Sequence, residues 1–145
     1  MVSCTEFIPA YSELFKFLEA KDGKEAVLKY WEHLAGDGLS KLDAAAREGG
    51  LKGVYDYFNK NLNEEAADFI SIHDEDEGVN ITTMRRCPSK GKLLELDYME
   101  PYPEYCHHCF ALYAPVLEKY GMEYHMDLSR ENEAYCVETI RLKKK

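Results

Sequence analysis

The chain has 145 residues, 46% of them hydrophobic and 31% charged, with a formal net charge of -9. That length suits one domain with a hydrophobic core rather than two, and the balance is globular rather than disordered. No apolar run nears the roughly 18 residues that a membrane span requires, and the acidic excess repels a phosphate backbone, so neither membrane nor nucleic acid is an expected partner.

The start, Met1 to Glu6, lacks the basic and apolar stretches of a secretory signal, which leads to a cytoplasmic expectation. There thiols stay reduced, so the five cysteines are not expected to form a disulfide framework.

The first sixty or so residues read as helical. Ser3 to Glu6 has capping-box spacing, and Phe7, Tyr11, Leu14, Phe15 and Leu18 recur at helical intervals. Asp22-Gly23-Lys24-Glu25 repeats the start signal, and Val27, Tyr30, Trp31 and Leu34 carry a second stripe until Gly36. A short third helix is expected from Leu39 to Glu48. Gly49-Gly50 breaks the chain before a fourth bearing Leu51, Val54, Tyr55, Phe58 and Leu62.

The period then changes. Phe69 to His73 and Val79 to Met84 are short, β-branched and joined by the acidic turn Asp74 to Gly78, which reads as a hairpin. That turn lacks the spacing of a calcium loop. Ser89 to Glu100 suits either a helix or an extended segment, ended by Pro101 and Pro103. From Glu104 to about Tyr120 a helix is expected, with Cys106-His107-His108-Cys109 in its first turn and a kink or break near Tyr113 caused by Pro115. After Gly121, the alternation of Met122, Tyr124, Met126 and Leu128 marks a strand, and Ala134 to Leu142 returns as the last.

The expected fold is α+β: N-terminal helices, then an antiparallel sheet of about four strands with one helix between two hairpins. It is read as a single domain over residues 1–145. Residues 1–63 are its helical part, and residues 64–145 a hairpin-helix-hairpin part carrying the Cys/His residues.

Four of the five cysteines fall in that second part: Cys87, Cys106, Cys109 and Cys136. Cys4, near the terminus, reads as a small packing residue. The four support three kinds of chemistry. As a metal centre, Cys106 and Cys109 would share an ion, zinc or iron-sulfur, with Cys87 and with Cys136 or a histidine, although the spacing matches no ribbon, knuckle or finger. As a dithiol, Cys106 at a helix start would be the nucleophile and Cys109 its resolving partner. As a reactive-thiol pocket, one cysteine, Cys106 by preference, would be nucleophile or ligand, with His107, His108 or His125 as the base and the first two favoured. Adjacent His107 and His108 point to different faces of a helix, so one at most faces such a pocket. Arg86 and Arg141 are candidates for holding a substrate carboxylate, and Tyr105, among the eleven tyrosines, for a pocket wall. The bland alternative is that the thiols simply pack.

The order Arg86-Cys87-Pro88, Tyr105-Cys106-His107-His108-Cys109, Gly121 with a strand, and a last strand bearing Cys136 resembles the family of L-2-amino-thiazoline-4-carboxylic acid hydrolases. The resemblance runs from about Ile81 to Ile140; the doubled histidine and the short chain depart from that family. It implies hydrolytic opening of a small carbon-nitrogen ring, with Cys87, Cys106 and Cys109 as reactive or ligand thiols and His107 or His108 assisting. The expectation is a small-molecule hydrolase or ligand-binding domain, with a non-catalytic zinc or iron-sulfur module as the alternative. Oligomeric state is not legible in the sequence.

Overall fold

The computed structural model describes residues 6–144. Ser3, needed for the expected capping box, and Cys4 lie outside the described residues. Three helices come first: α1 (Phe7–Asp22), α2 (Lys24–Asp37) and α3 (Ser40–Glu64). Glu6, which precedes α1, has helical dihedrals and makes no side-chain cap. The two helices expected around Gly49-Gly50 form α3 as one run, interrupted at Gly50, where φ is 55° and ψ -143°. That conformation is open almost only to glycine, so the break read from the Gly-Gly pair is real even though helical residues flank it on both sides.

The hairpin follows as β1 (Asp68–Asp74) and β2 (Val79–Arg86). The ambiguous stretch resolves into a short helix, α4 (Pro88–Glu95), started by Pro88 in the first turn, where its missing N–H costs nothing. Two helices therefore separate the hairpins. The second, α5 (His107–Glu118), runs on through Pro115 instead of breaking. The Pro115 side chain lies on the exposed side of the helix. The second hairpin is β3 (Met122–Asp127) and β4 (Cys136–Leu142), joined through a 3₁₀ turn at Glu131–Glu133.

All strands are antiparallel, in the order β1-β2-β4-β3. The fold is thus α+β, as the pattern implied. Register places Thr82 opposite Glu138 and Glu138 opposite Met126. With the strand period of two, Cys136, Glu138 and Ile140 share one face with Tyr124 and Met126, while Val137, Thr139 and Arg141 share the other. The first face packs against α3 and α5 through Leu42, Val54, Phe58, Val116, Leu117, Met122, Tyr124 and Ile140. A second core joins α1, α2 and α4 to the segment before α5 through Phe15, Val27, Trp31, Leu93, Tyr102 and Tyr105. There the Tyr102 N–H donates to the buried Ser12 Oγ at 2.7 Å, tying α1 to a segment ninety residues away.

Gly50→Ala is expected to cost about 1–3 kcal/mol through backbone strain alone, since nothing lies within 4 Å of the added Cβ. Gly49→Ala, in helical backbone with open space, should be neutral or stabilise by up to about 1 kcal/mol. Urea unfolding of both variants reads the contrast as opposite shifts in midpoint at unchanged slope.

Candidate functional site

Three separate pieces of local structure bring the thiols together: the junction of β2 and α4, the start of α5, and β4. Cys87 follows β2 and caps α4: its Sγ accepts the Lys90 N–H at 3.4 Å, while its own N–H donates to the Ala134 carbonyl at 2.7 Å. Cys106 occupies the cap position of α5, and Cys109 follows one turn on, its N–H donating to the Cys106 carbonyl at 3.3 Å. Cys136 opens β4 opposite Met84 and is buried, while the other three are partly exposed. The Cys109 thiol lies within electrostatic reach of Cys87, Cys106 and Cys136. Cys136 in turn lies within reach of Cys87 and Cys106.

Burial dominates the electrostatics. It raises the Cys87 thiol, against the lowering effect of the Lys90 and Ser89 N–H groups. Cys106 is pushed up to about 12, burial outweighing the Lys90 ammonium, with Glu131 adding to the rise. Cys109 and Cys136 are raised by burial and then by Glu138. At neutral pH the thiols are therefore protonated, the opposite of the lowered first thiol that a helix-start dithiol needs. Glu138 faces α5 from the inner side of the sheet, and desolvation raises its carboxyl to about 7. The Tyr124 hydroxyl lowers it somewhat, yet Tyr124 Oη has no partner at full hydrogen-bond geometry.

The two histidines diverge, as helical geometry requires. His107 is exposed and lines a shallow pocket of about 220 Å³ with Phe110, His125, Met126 and Leu128. His108 turns inward, with its ring centroid 4.7 Å from that of Tyr105 and 6.0 Å from that of Phe15. Its Nδ1 bonds to the Tyr105 carbonyl, which makes Nδ1 the donor and leaves Nε2 as acceptor. That Nε2 lies 3.8 Å from the Cys109 Sγ. The imidazole thus pairs with Cys109, where Cys106 was the expected partner. Burial lowers the pKa of His108, so the pair is neutral thiol and neutral imidazole.

The polar candidates separate in the same way. Tyr105 is buried in the second core, its Oη 2.6 Å from Ser89 Oγ. Arg86 is committed to Glu95 at 2.6 Å and to the Gly91 carbonyl at 3.4 Å. Arg141 lies on the sheet face opposite Cys136, so the fold does not bring it to the thiols. The cation beside them is Lys90, which pattern reading missed. It is 4% exposed, and among the described residues its ammonium has no carboxylate within 4.0 Å. Glu131, against the Cys106 thiol, and Glu138 were missed as well. Only Glu138 had a legible signal, since alternation along β4 sets it on the face of Cys136 and Ile140.

Among the described residues, no group of three or more His, Cys, Asp or Glu side chains is arranged to hold a metal ion. The Cys87, Cys106, Cys109 and Cys136 set therefore does not fit the zinc or iron-sulfur centre named as the alternative. No described helix is long and apolar enough to cross a membrane. Comparison with protein-family models, curated proteins and solved structures finds no match to this chain.

A carboxyl at about 7 when folded, against 4.5 for the free group, binds more protons folded than unfolded between those values. Its raised pKa favours folding below about 4.5 and loses that contribution as pH rises towards 7, an effect of at most about 3 kcal/mol. Glu138→Gln should remove this component. Urea unfolding from pH 4.5 to 8 is expected to show the variant gaining on the parent as pH rises, with the largest advantage above pH 7.

Proposed function

We propose that this protein is a small-molecule-binding domain with hydrolase-like chemistry, in which Cys109 is the reacting thiol and His108 its proton acceptor. The observation that carries the reading is the chain from Cys109 Sγ to His108 Nε2 at 3.8 Å, with Nδ1 held on the Tyr105 carbonyl. A nucleophile, a base and a third group orienting the base are what activation of a thiol needs. Because both partners start neutral, the proton leaves Sγ for Nε2 as the Sγ–C bond forms. The electron pair of the carbon-nitrogen double bond moves to the ring nitrogen; as it returns, the ring carbon-sulfur bond breaks and the released sulfur takes the proton from His108 Nε2. Water then adds to the same carbon and displaces Cys109 as a thiol, leaving a carbon-oxygen bond where the ring sulfur stood. The family resemblance supports a small ring substrate of this type.

Four free cysteines within reach of one another suit a reducing compartment, so a cytoplasmic setting belongs to the same proposal. The net charge of -9 favours a small ligand over nucleic acid as partner.

The test is thiol release from 2-amino-thiazoline-4-carboxylate by the full chain. Cys109→Ala and His108→Gln should each lower turnover by at least about a hundredfold, the scale of a lost acid-base partner. Cys106→Ala should retain most of it. Turnover unchanged in Cys109→Ala, or none in the parent, would sink the reading.

A further inference from the structure

The last turn of α2, the first turns of α3 and the end of α5 border a second cavity, of about 450 Å³ and open to solvent. Its size falls in the roughly 300–1,000 Å³ range of small-ligand sites. Ala35, Leu39 and Val116 give it an apolar lining, and Val116 and Ala35 are themselves buried. The charged groups that line it are Asp43, Arg47 and Lys119. Asp43 Oδ2 accepts the Tyr120 hydroxyl at 2.9 Å, while Lys119 Nζ stands 3.5 Å from Oδ1 and Arg47 Nη1 3.8 Å from Oδ2. Both cations therefore share one carboxylate, at or beyond the outer limit of a hydrogen bond. Arg47 also reaches Glu48 at 3.1 Å, an exposed pair of a kind that holds a side chain only weakly, and Glu48 is not part of the lining. The lining thus carries one positive charge in excess, in a chain whose net charge is -9.

We propose that this cavity binds a small organic monoanion, a carboxylate carried on a sizeable apolar group such as an aryl ring. The carboxylate lies between Lys119 and Arg47, each of which exchanges a loose contact with Asp43 for a charge-assisted bond, and the apolar body covers Ala35, Leu39 and Val116. A single negative charge matches the excess of the lining. A phosphate dianion does not, because Tyr120 holds the Asp43 carboxylate in place beside it and like charges repel. An uncharged analogue gives up the two cations, and a bare carboxylate gives up the apolar contact, so the cavity selects for both features in one molecule. Lys119 lies ten residues beyond Cys109, about 15 Å along the helical rise. The site is therefore separate from the thiols, and the inference does not depend on the reaction proposed there.

The experiment titrates the full chain, under reductant at pH 7.5 and constant ionic strength, with benzoate, benzyl alcohol and acetate, following amide shifts by NMR. Benzoate should give saturable shifts around Leu39, Asp43 and Lys119, with the other two probes at least about tenfold weaker. Arg47→Gln and Lys119→Gln should each weaken benzoate at least about threefold, and the double variant at least about tenfold, while benzyl alcohol is unchanged. Gly36→Leu leaves every charge in place and fills the cavity from α2, where nothing lies within 4 Å of the added Cβ. It should weaken benzoate at least about tenfold as well. Absence of saturable benzoate shifts in the parent, or benzyl alcohol or acetate binding within tenfold of benzoate, overturns the inference without recourse to any variant. A loss below tenfold in the double variant or in Gly36→Leu, each with the parent's dispersed amide spectrum, overturns it too. Thiol release dependent on Cys109 is scored separately: its survival alongside failed benzoate binding removes this inference alone.

Discussion

The two-sided burial of α5 is the constraint on which the rest of the structure depends. Val116 and Leu117, near its C-terminus, are buried between α3 and the sheet, while its first turns reach the aromatic core made by α1, α2 and the segment around Tyr102. A helix gripped from both sides has a fixed rotation about its axis, and rotation decides what each residue of the Cys106-His107-His108-Cys109 turn meets. Burial of large aromatic side chains supplies the force: Phe15, Trp31, Tyr102 and Tyr105 each give up on the order of 150–250 Å² of surface.

That fixed rotation divides the quartet into separate jobs. His108 is packed among aromatic rings, Cys109 is turned towards Glu138 and the sheet, Cys106 stays at the helix entrance with Lys90 and Glu131, and His107 faces solvent. Burial pushes the thiols and Glu138 up and His108 down, and each shift favours the uncharged form. The thiols and His108 are therefore uncharged at neutral pH. Under the proposed reading a proton would pass within the Cys109–His108 pair without a stored thiolate, in contrast to the electropositive surroundings of a permanently activated cysteine.

Much of the architecture was legible before any coordinates. The helical stripes ending near Gly36, the interruption at Gly49-Gly50, the acidic hairpin turn and the alternation from Met122 all follow from local preference and periodicity, which need only neighbours in sequence. At Pro115 the helix continues, so of the kink or break that a proline allows the break does not occur. The stretch after Pro88 was undecidable because its apolar residues are too few to fix a period, and Leu93 chooses helix by packing beneath Trp31 and Tyr102.

The sequence by itself determined the α+β class, the order of elements and the divergence of His107 from His108, because backbone preference and the 3.6 and 2.0 residue periods act over a few residues. It also marked the second half of the chain as the place where chemistry-bearing side chains collect. Only the tertiary structure decided which of them meet. That His108 pairs with Cys109, that Arg141 lies on the wrong face, and that Lys90 is buried beside Cys106 depend on how α4, α5 and β4 are set against one another. Those placements come from the packing of two cores contributed by residues far apart in the chain, which no local pattern encodes.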